Sequence, residues 1–311
     1  MTSAVPRVTI IMATWNWSEV LPYSIGSVLL QTFRDFELLV VGDGCTDDSE
    51  SVVATVGDSR VRWINLPTNS GHQSAPNNEG LRQARGELIA YLGHDDLWLP
   101  HHLACLVQAI GQGADLAYGI VRNVTLAEDD GCLISPDYFP GDWLPPTSVL
   151  HRKSLFTKAG GWPDYRSLDG EPEAELWRRF SDAGAQIRFV PRLTAIKLPA
   201  AARANVYLER PCHEQAAWLD RIRSRDVEAE ELAANLVARA RAAPRRYSAL
   251  LRQVARRGAV GMLARLRRKL RPTTPGDAVN SRRLYKGLES RGGDAMEYIE
   301  AEAAWRNGAS N

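Results

Sequence analysis

Cysteine is scarce in this sequence of 311 residues. Its four cysteines lie far apart and form no CxxC pair; they are Cys45, Cys105, Cys132 and Cys212. This spacing favours neither a zinc site nor a disulfide framework. We therefore interpret them as the reduced thiols of a cytoplasmic protein.

Long apolar runs are absent as well. The stretch nearest the N-terminus extends only from Val8 to Ala13. It is far shorter than the hydrophobic region of a signal peptide or the ~20 residues of a membrane span. We expect neither a leader nor a membrane anchor.

The sequence has no excess of charge of either sign. Lys and Arg number 38 and Asp and Glu number 37, so the formal net charge is +1. With 44% hydrophobic and 24% charged residues, the composition excludes collagen-like and wholly disordered classes. It predicts one large globular domain with a tail.

Two nucleotide-binding signatures are missing. The sequence contains neither a GxGxxG fingerprint nor a P-loop lysine. These absences disfavour a nicotinamide oxidoreductase and an NTP hydrolase.

Short β-branched runs alternate with amphipathic stretches through the first two thirds of the chain. Strands are predicted at Val8–Met12, Phe36–Val41, Val61–Leu66, Leu88–Leu92, Asp115–Val121 and Gln186–Val190. Helices are predicted at Val20–Leu30, Ser49–Val56, Ser74–Arg85, Pro100–Ile110, Lys153–Ala159 and Glu173–Ala183. Runs such as VTIIM and FELLVV lack polar alternation, which is typical of parallel strands covered on both faces. The pattern predicts an open, mostly parallel α/β sheet with helices on both faces.

Polar segments directly follow three of the predicted strands. These are residues 13–16, 42–48 and 93–96. Ligands of open α/β sheets bind beyond the carboxyl ends of the strands, so we expect a site at this edge.

Several residues in these segments suit a phosphorylated ligand. Asp95 and Asp96 could bind a hard divalent cation that keeps positions for phosphate oxygens; alternatively, one of them caps the helix near Pro100. Asp43 could accept hydrogen bonds from a base or ribose, or its Asp-Gly pair could simply form a turn. Trp15 could stack on a base or pack in the core.

A cluster of acids surrounds the start of the helix predicted at Glu173. Asp169, Glu171, Glu173 and Glu175 complement the helix dipole there, which is a structural role. One acid reaching into a cleft could instead act as a general base. Helical periodicity places Glu171 and Glu175 on one face and directs Glu173 elsewhere.

Three segments together resemble the N-terminal half of family 2 glycosyltransferases of the GT-A fold. They are VTIIMATWN, SIGSVLLQTFRDFELLVVGDGCTDDS and NSGHQSAPNNEGLRQARGELIAYLGHDDLWLP. The resemblance extends from about Val8 to Pro199 and depends on the order in which the motifs recur. It implies a GT-A fold, a nucleotide-sugar donor (a UDP-sugar is favoured), a divalent Mn²⁺ or Mg²⁺ ion, and inverting transfer by direct displacement.

The resemblance also implies roles for individual residues. Asp95 takes the place of the metal-ligating Asp. The implied donor-nucleotide residues are Ala13, Thr14, Trp15, Asn16, Asp43, Asn69, Asn78 and His94. Glu173 takes the place of the catalytic base, since Leu176 and Arg179 match the family's Leu and Arg; Glu171 and Asp169 remain alternatives for the base.

The sequence departs from the family pattern at several positions. Gly42 stands where the family usually has the first Asp of its Asp-Asp-Gly-Ser loop, and Gly93 stands where a strand-end Asp is common. Pro172 and Glu173 replace the usual Glu-Asp pair.

Two functional hypotheses follow from the resemblance and from these departures. The first is an inverting glycosyltransferase of polysaccharide, glycolipid or other glycoconjugate synthesis. The second is a degenerate, non-catalytic protein that binds a nucleotide sugar or serves as a scaffold.

The predicted catalytic domain covers residues 1–210. Its nucleotide-sugar half ends near residue 118 and its acceptor half spans 119–210. Residues 211–311 form a predicted helical extension, with fifteen Lys or Arg and four Asp or Glu between Arg221 and Arg271. The sequence of the predicted acceptor half does not identify the acceptor, which could be a glycan, a lipid-linked sugar or a small molecule.

The basic extension has two alternative roles. It could rest on anionic lipids at the inner face of the membrane, or it could pack on the catalytic domain or on a second subunit. The net charge of only +1 and a short apolar stripe favour packing. Nucleic-acid binding is disfavoured because Tyr247 is the only aromatic residue between Arg221 and Arg271.

Overall fold

The computed structural model describes residues 5–125, 131–133, 136–200, 203 and 205–238. Its nine strands are β1 Val8–Thr14, β2 Phe36–Gly42, β3 Val61–Asn65, β4 Leu88–Tyr91, β5 Leu97–Trp98, β6 Leu116–Asn123, β7 Gly131–Leu133, β8 Val149–Arg152 and β9 Ile187–Lys197. They form one sheet in the order β3-β2-β1-β4-β8-β6-β9-β5, with β7 paired to β6.

The helices are α1 Leu21–Leu29, α2 Ser49–Thr55, α3 Ser74–Gln83, α4 His102–Gly111, α5 Lys153–Ala159, α6 Pro172–Asp182, α7 Val206–Glu209 and α8 His213–Ser224. Helices α1 to α6 lie between strands at the positions predicted from the sequence, and α7 and α8 follow the last strand. Residues 227–238 are helical as well.

The N-terminal half of the sheet is parallel, which confirms the prediction for this region. Strand β1 pairs in parallel with β2 and β4, and β2 pairs in parallel with β3. Thr14, the last residue of β1, lies opposite Gly42, the last residue of β2. The carboxyl ends of these strands therefore meet at one edge.

The other half of the sheet is mixed. Strand β8 is antiparallel to both β4 and β6, β6 is parallel to β9, and β5 is antiparallel to β9. The sequence pattern did not predict β5, β7 and β8, because β5 and β7 have only two and three residues and only Val149 and Leu150 of β8 are apolar. It also ended the last strand at Val190, since Pro191 interrupts the apolar run. The structure accommodates Pro191 with an irregular register next to Gly119 and continues β9 to Lys197.

The strand side chains alternate between two hydrophobic layers. Ile10 and Leu38 pack in the layer that includes Leu103 of α4, while Ile11 packs in the layer that includes Leu81 of α3. All five side chains are essentially inaccessible to solvent, and full burial of an Ile or Leu contributes roughly 1.5–3 kcal/mol. Helices on both faces therefore hold the strands in place.

The beginning of the predicted extension packs on the rest of the described structure. Leu219 and Ile222 of α8 are buried in the same cluster as Leu97 and Leu99. The rest of the extension, including the breaker at Pro272–Gly276 and the final helix predicted at Leu284–Trp305, lies outside the described residues. Within the described ranges, no helix combines the length and the apolar character needed to cross a membrane.

Gly42 lies where two side chains of the neighbouring strand fill the space. A Cβ atom on Gly42 would lie 2.5 Å from Asn65 Oδ1 and 2.8 Å from the Trp63 ring. The Asn65 amide in turn accepts a hydrogen bond from the Cys45 backbone N–H at 2.9 Å and donates to the Cys45 carbonyl at 2.9 Å. At position 42, where the resemblance predicts an Asp, the glycine is thus matched by residues of β3 that brace the following loop.

Replacing Gly42 with Ala should destabilise the fold by about 1–3 kcal/mol, because the new methyl group overpacks this site. Gly111→Ala is the matched control: Gly111 closes α4, and a Cβ atom on it would meet no neighbouring group within 4 Å. The control should be neutral or stabilising by up to about 1 kcal/mol. Urea unfolding measures both variants, and an equal effect of the two substitutions would contradict the close packing at Gly42.

Candidate active site

A cavity lies at the carboxyl edge of the parallel strands. Seven of the residues predicted from the sequence line it: Ala13, Thr14, Trp15, Asp43, His94, Asp95 and Glu173. They end or follow β1, follow β2 and β4, or begin α6, so the topology brings together residues that are up to 160 positions apart in the chain. Residues at the end of β9 and in the segment after it also line the cavity.

Thr14 and His94 form part of the cavity floor. His94 Nδ1 and Thr14 Oγ1 lie 3.0 Å apart and share a hydrogen bond. The edge of the Trp17 ring meets the His94 imidazole at a centroid distance of 5.2 Å. These contacts fix the ends of β1 and β4 relative to each other.

Asp43 holds the loop that precedes α3. Its Oδ1 accepts a hydrogen bond from the Ser70 backbone N–H, and its Oδ2 accepts one from Ser70 Oγ, both at 3.0 Å. His72 and Gln73 of the same loop line the cavity. The sequence motifs did not indicate these two residues, although the Gly71-containing turn before α3 marks the loop.

Three of the predicted donor-binding amides are not among the cavity-lining residues. Asn16 Oδ1 accepts a hydrogen bond from the Thr46 backbone N–H at 2.7 Å, and Asn69 Oδ1 accepts one from the Gly71 N–H. The Asn78 side chain exchanges two hydrogen bonds with the backbone of Trp162. Each of these amides thus forms hydrogen bonds with backbone groups of a neighbouring loop. Such bonds satisfy backbone groups that have no partner in a helix or strand.

Asp96 joins the end of β4 to the end of β9. Its carboxylate is 1% exposed and accepts hydrogen bonds from Lys197 Nζ at 3.2 Å and from the Leu198 backbone N–H at 2.9 Å. Burial raises the pKa of the Asp96 carboxyl, and the Lys197 ammonium opposes that shift. The Asp96 carboxylate thus links the segment after β4 to the end of β9, and Asp96 also lines the cavity.

Asp95 lies beside this pair and lines the cavity. A Cβ atom on Gly93 would lie 3.0 Å from Asp95 Oδ1 and 2.9 Å from Asp96 Oδ2, so the glycine provides the space that both carboxylates occupy. Neither Asp caps α4, whose N-cap residue is His101. The alternative that Asp95 or Asp96 caps a helix is thus excluded for α4.

Asp95 fits a divalent cation only if a ligand supplies the other donors. Across the described residues, no group of three or more His, Cys, Asp and Glu side chains could hold a metal ion. A carboxylate oxygen suits Mg²⁺ or Mn²⁺, and both ions commonly share their coordination with phosphate oxygens.

Glu173 is a buried acid in the first turn of α6. It is 2% exposed, and its Oε1 accepts a hydrogen bond from Trp143 Nε1 at 3.0 Å. Its Oε2 is buried and has no hydrogen-bond partner within the described part of the chain. Leaving a buried acceptor unsatisfied costs roughly 1–3 kcal/mol, so such an atom calls for a functional explanation.

The other acids of this cluster have different surroundings. Glu171 is the N-cap residue of α6 and Asp169 is exposed; neither lines the cavity. Glu175 binds Arg178 and Arg179, and hydrogen bonds from these guanidinium groups lower its pKa to about 2. Glu173 is thus the member of the cluster that lines the cavity.

Two cavity-lining cations were not predicted from the sequence. Lys197 binds Asp96, and Arg203 binds Glu214 through two hydrogen bonds of 2.6 and 2.7 Å. Both residues lie beyond the last strand that the sequence pattern predicted, in a region without a recognisable motif.

The sequence comparison finds similarity to one family in the first part of the chain. Residues 9–143 match the model of glycosyl transferase family 2, which confirms the resemblance found in the motifs. A GalNAc(5)-diNAcBac-PP-undecaprenol beta-1,3-glucosyltransferase of Campylobacter jejuni is 32% identical over 162 residues, which are 50% of this chain and 50% of that protein. The Escherichia coli protein WfgD, a UDP-Glc:alpha-D-GlcNAc-diphosphoundecaprenol beta-1,3-glucosyltransferase, is 28% identical over 148 residues, which are 48% of this chain and 54% of that protein. The chain thus spans about half the length of the curated relatives it matches.

Solved structures share the fold. Staphylococcus aureus TarS 1-349 in complex with UDP-GlcNAc superposes with a TM-score of 0.54 at 19% identity, over 75% of this chain and 72% of that one. The mannosyltransferase PcManGT of Pyrobaculum calidifontis, in complex with GDP-Man and Mn²⁺, superposes with a TM-score of 0.51 at 17% identity, over 91% of this chain and 88% of that one. These likenesses confirm the predicted GT-A fold.

Replacing Lys197 with Met should lower the free energy of unfolding at pH 7 by about 3 kcal/mol, because it leaves the Asp96 carboxylate buried without its cation. The double variant Asp96→Asn/Lys197→Met should recover part of this loss, since no charge then remains buried. Urea unfolding of both variants and of the wild type measures the effect. A Lys197→Met variant as stable as the wild type would contradict the structural role of this pair.

Proposed function

We propose that this chain, which carries a family 2 glycosyltransferase domain at residues 9–143, transfers a sugar from a nucleotide-sugar donor to an acceptor hydroxyl with inversion of configuration. The observation that carries the proposal is the cavity in which Asp43, Asp95 and the buried Glu173 meet. It combines a region for a nucleotide, an acid suited to a cation and an acid suited to proton transfer.

The donor would bind over the ends of β1, β2 and β4. Asp43 and Trp15 line this side of the cavity, where a carboxylate can accept hydrogen bonds and an indole can stack on a base. Two solved structures of the same fold are complexes with UDP-GlcNAc and GDP-Man, which supports a nucleotide sugar. A UDP-sugar is our preferred donor.

Asp95 would hold a divalent cation together with oxygen atoms of the donor diphosphate. No group of three or more His, Cys, Asp and Glu side chains in the described residues could hold a cation alone, which fits such a shared site. When bound, the cation would neutralise the negative charge of the diphosphate leaving group. The PcManGT structure, which contains Mn²⁺, supports this assignment.

Glu173 would act as the general base. The acceptor hydroxyl attacks the anomeric carbon and gives its proton to the Glu173 carboxylate, while the bond between that carbon and the donor phosphate oxygen breaks. The electron pair of this bond leaves with the nucleoside diphosphate. A single displacement from the face opposite the leaving group inverts the anomeric configuration.

The acceptor is proposed to be a sugar of a growing glycoconjugate. Two relatives are named for acceptors linked to diphosphoundecaprenol or PP-undecaprenol, which supports a lipid-linked glycan for this chain. A cytoplasmic location, peripheral membrane contact and self-association through the extension remain predictions.

Asp95→Asn should abolish metal-dependent donor binding and leave the fold intact, because an amide lacks the charge that holds a hard cation. A thermal-shift screen of UDP-sugars and GDP-mannose, with and without Mn²⁺, measures binding as a rise in the melting temperature. Asp58→Asn is the control, since Asp58 pairs with Arg60 before β3 at the opposite edge of the sheet. A metal-dependent shift that persists in Asp95→Asn would remove Asp95 from the metal site.

Glu173→Gln should lower kcat by ~10²-fold or more and leave the donor dissociation constant nearly unchanged, because a general base acts in the transition state. Glu175→Gln is the matched control: it changes an acid two residues away that binds Arg178 and Arg179. Steady-state transfer assays measure both variants. Near wild-type turnover in Glu173→Gln would exclude Glu173 as the base. If the wild-type protein binds a donor but shows no turnover, the result would favour the non-catalytic alternative.

A further inference from the structure

We infer that Trp143 is the positioning residue of Glu173, and that its hydrogen bond to Oε1 orients the carboxylate that receives the acceptor proton. The inference builds on the proposed function and assigns a residue that no sequence motif indicated. Trp143 lies in the segment between β7 and β8, lines the cavity and is 37% exposed.

The two oxygen atoms of the Glu173 carboxylate have different surroundings. Oε1 accepts the hydrogen bond from Trp143 Nε1 at 3.0 Å, while Oε2 is buried without a partner in the described residues. An indole N–H can donate but cannot accept a hydrogen bond. The hydrogen bond from Trp143 to Oε1 is therefore compatible with a proton on Oε2 but not with a proton on Oε1.

The segment that carries Trp143 is fixed against α6. The next residue, Leu144, is buried, and its carbonyl accepts a hydrogen bond from Trp177 Nε1 at 3.0 Å. Trp177 lies on α6, one helical turn after Glu173. The segment is thus joined to α6 at two neighbouring points, through Glu173 and through Trp177. This double connection fixes the Trp143 indole relative to the helix that carries the base.

A fixed indole helps proton transfer by orienting the carboxylate. The terminal torsion of a Glu side chain is broad and has no single preferred value. A hydrogen bond from a fixed donor to Oε1 restricts this torsion and thereby holds Oε2 in one direction. A base that is held in place before the reaction does not have to be oriented during it.

The test is a double-mutant cycle in transfer assays of the full chain. Trp143→Phe removes the N–H donor and keeps an aromatic ring at the position. We expect kcat to fall about tenfold, while KM for the donor and for the acceptor stays within about twofold. Adding Trp143→Phe to Glu173→Gln should cause no further loss of kcat, because Trp143 acts only through the base.

Phe139→Ala is the control variant. Phe139 is an exposed aromatic residue in the same segment, 66% accessible to solvent and not among the cavity-lining residues. Its substitution should leave kcat and KM unchanged. Thermal melts of all variants verify that each is folded.

Three results would overturn the inference. Wild-type kcat in Trp143→Phe, with Glu173→Gln impaired, would show that the base needs no such support. An equal loss from Trp143→Phe in the wild-type and Glu173→Gln backgrounds would show a general structural role. A matching loss in Phe139→Ala would trace the effect to the whole segment. Near wild-type turnover in Glu173→Gln would instead refute the base assignment of the proposed function, which separates that failure from the failure of the Trp143 role.

Discussion

The buried carboxylate of Asp96 connects the two halves of the sheet at the edge where the cavity lies. In the sheet, β4 and β9 are separated by β8 and β6. After β4 the chain passes along the carboxyl edge and pairs with β9 as β5, with Leu97 opposite Ile196. The hydrogen bonds from Lys197 and Leu198 to Asp96 fasten this crossing. Asp95 owes its position in the cavity to this crossing segment.

Glu173 reaches the same cavity from the other side. It stands in the first turn of α6, and Trp143 and Trp177 join that helix to the segment before β8. The proposed metal-binding acid and the proposed base thus belong to different halves of the fold and are held by separate sets of contacts. A substrate between them would meet both acids only because the mixed sheet places these halves side by side.

The parallel half of this structure could be predicted from the sequence because its signals are local. Continuous apolar runs identified β1 and β2, and α5 has the predicted bounds Lys153–Ala159. Strand β5 is too short to give a pattern, only two of the four residues of β8 are apolar, and Pro191 interrupts the apolar run of β9. The order of the family motifs indicated Asp95 and Glu173 as site residues, and both line the cavity.

Other parts of the site depend on tertiary contacts that no local pattern encodes. Trp143, Lys197 and Arg203 come from segments without a motif, and all three line the cavity. Asn16, Asn69 and Asn78 match positions of the family motifs but do not line the cavity. A match to a motif does not reveal which backbone groups an amide side chain binds. At Gly42 the reason is steric, because Trp63 and Asn65 occupy the space that a side chain would need.

A single displacement between two acids that face one cavity is the central feature of the proposed reaction. The most direct measurement is the anomeric configuration of the transferred sugar, determined by proton NMR after reaction with an α-linked nucleotide sugar that binds the protein. We expect a β-linked product, formed without an intermediate attached to the enzyme. An α-linked product would contradict the single displacement.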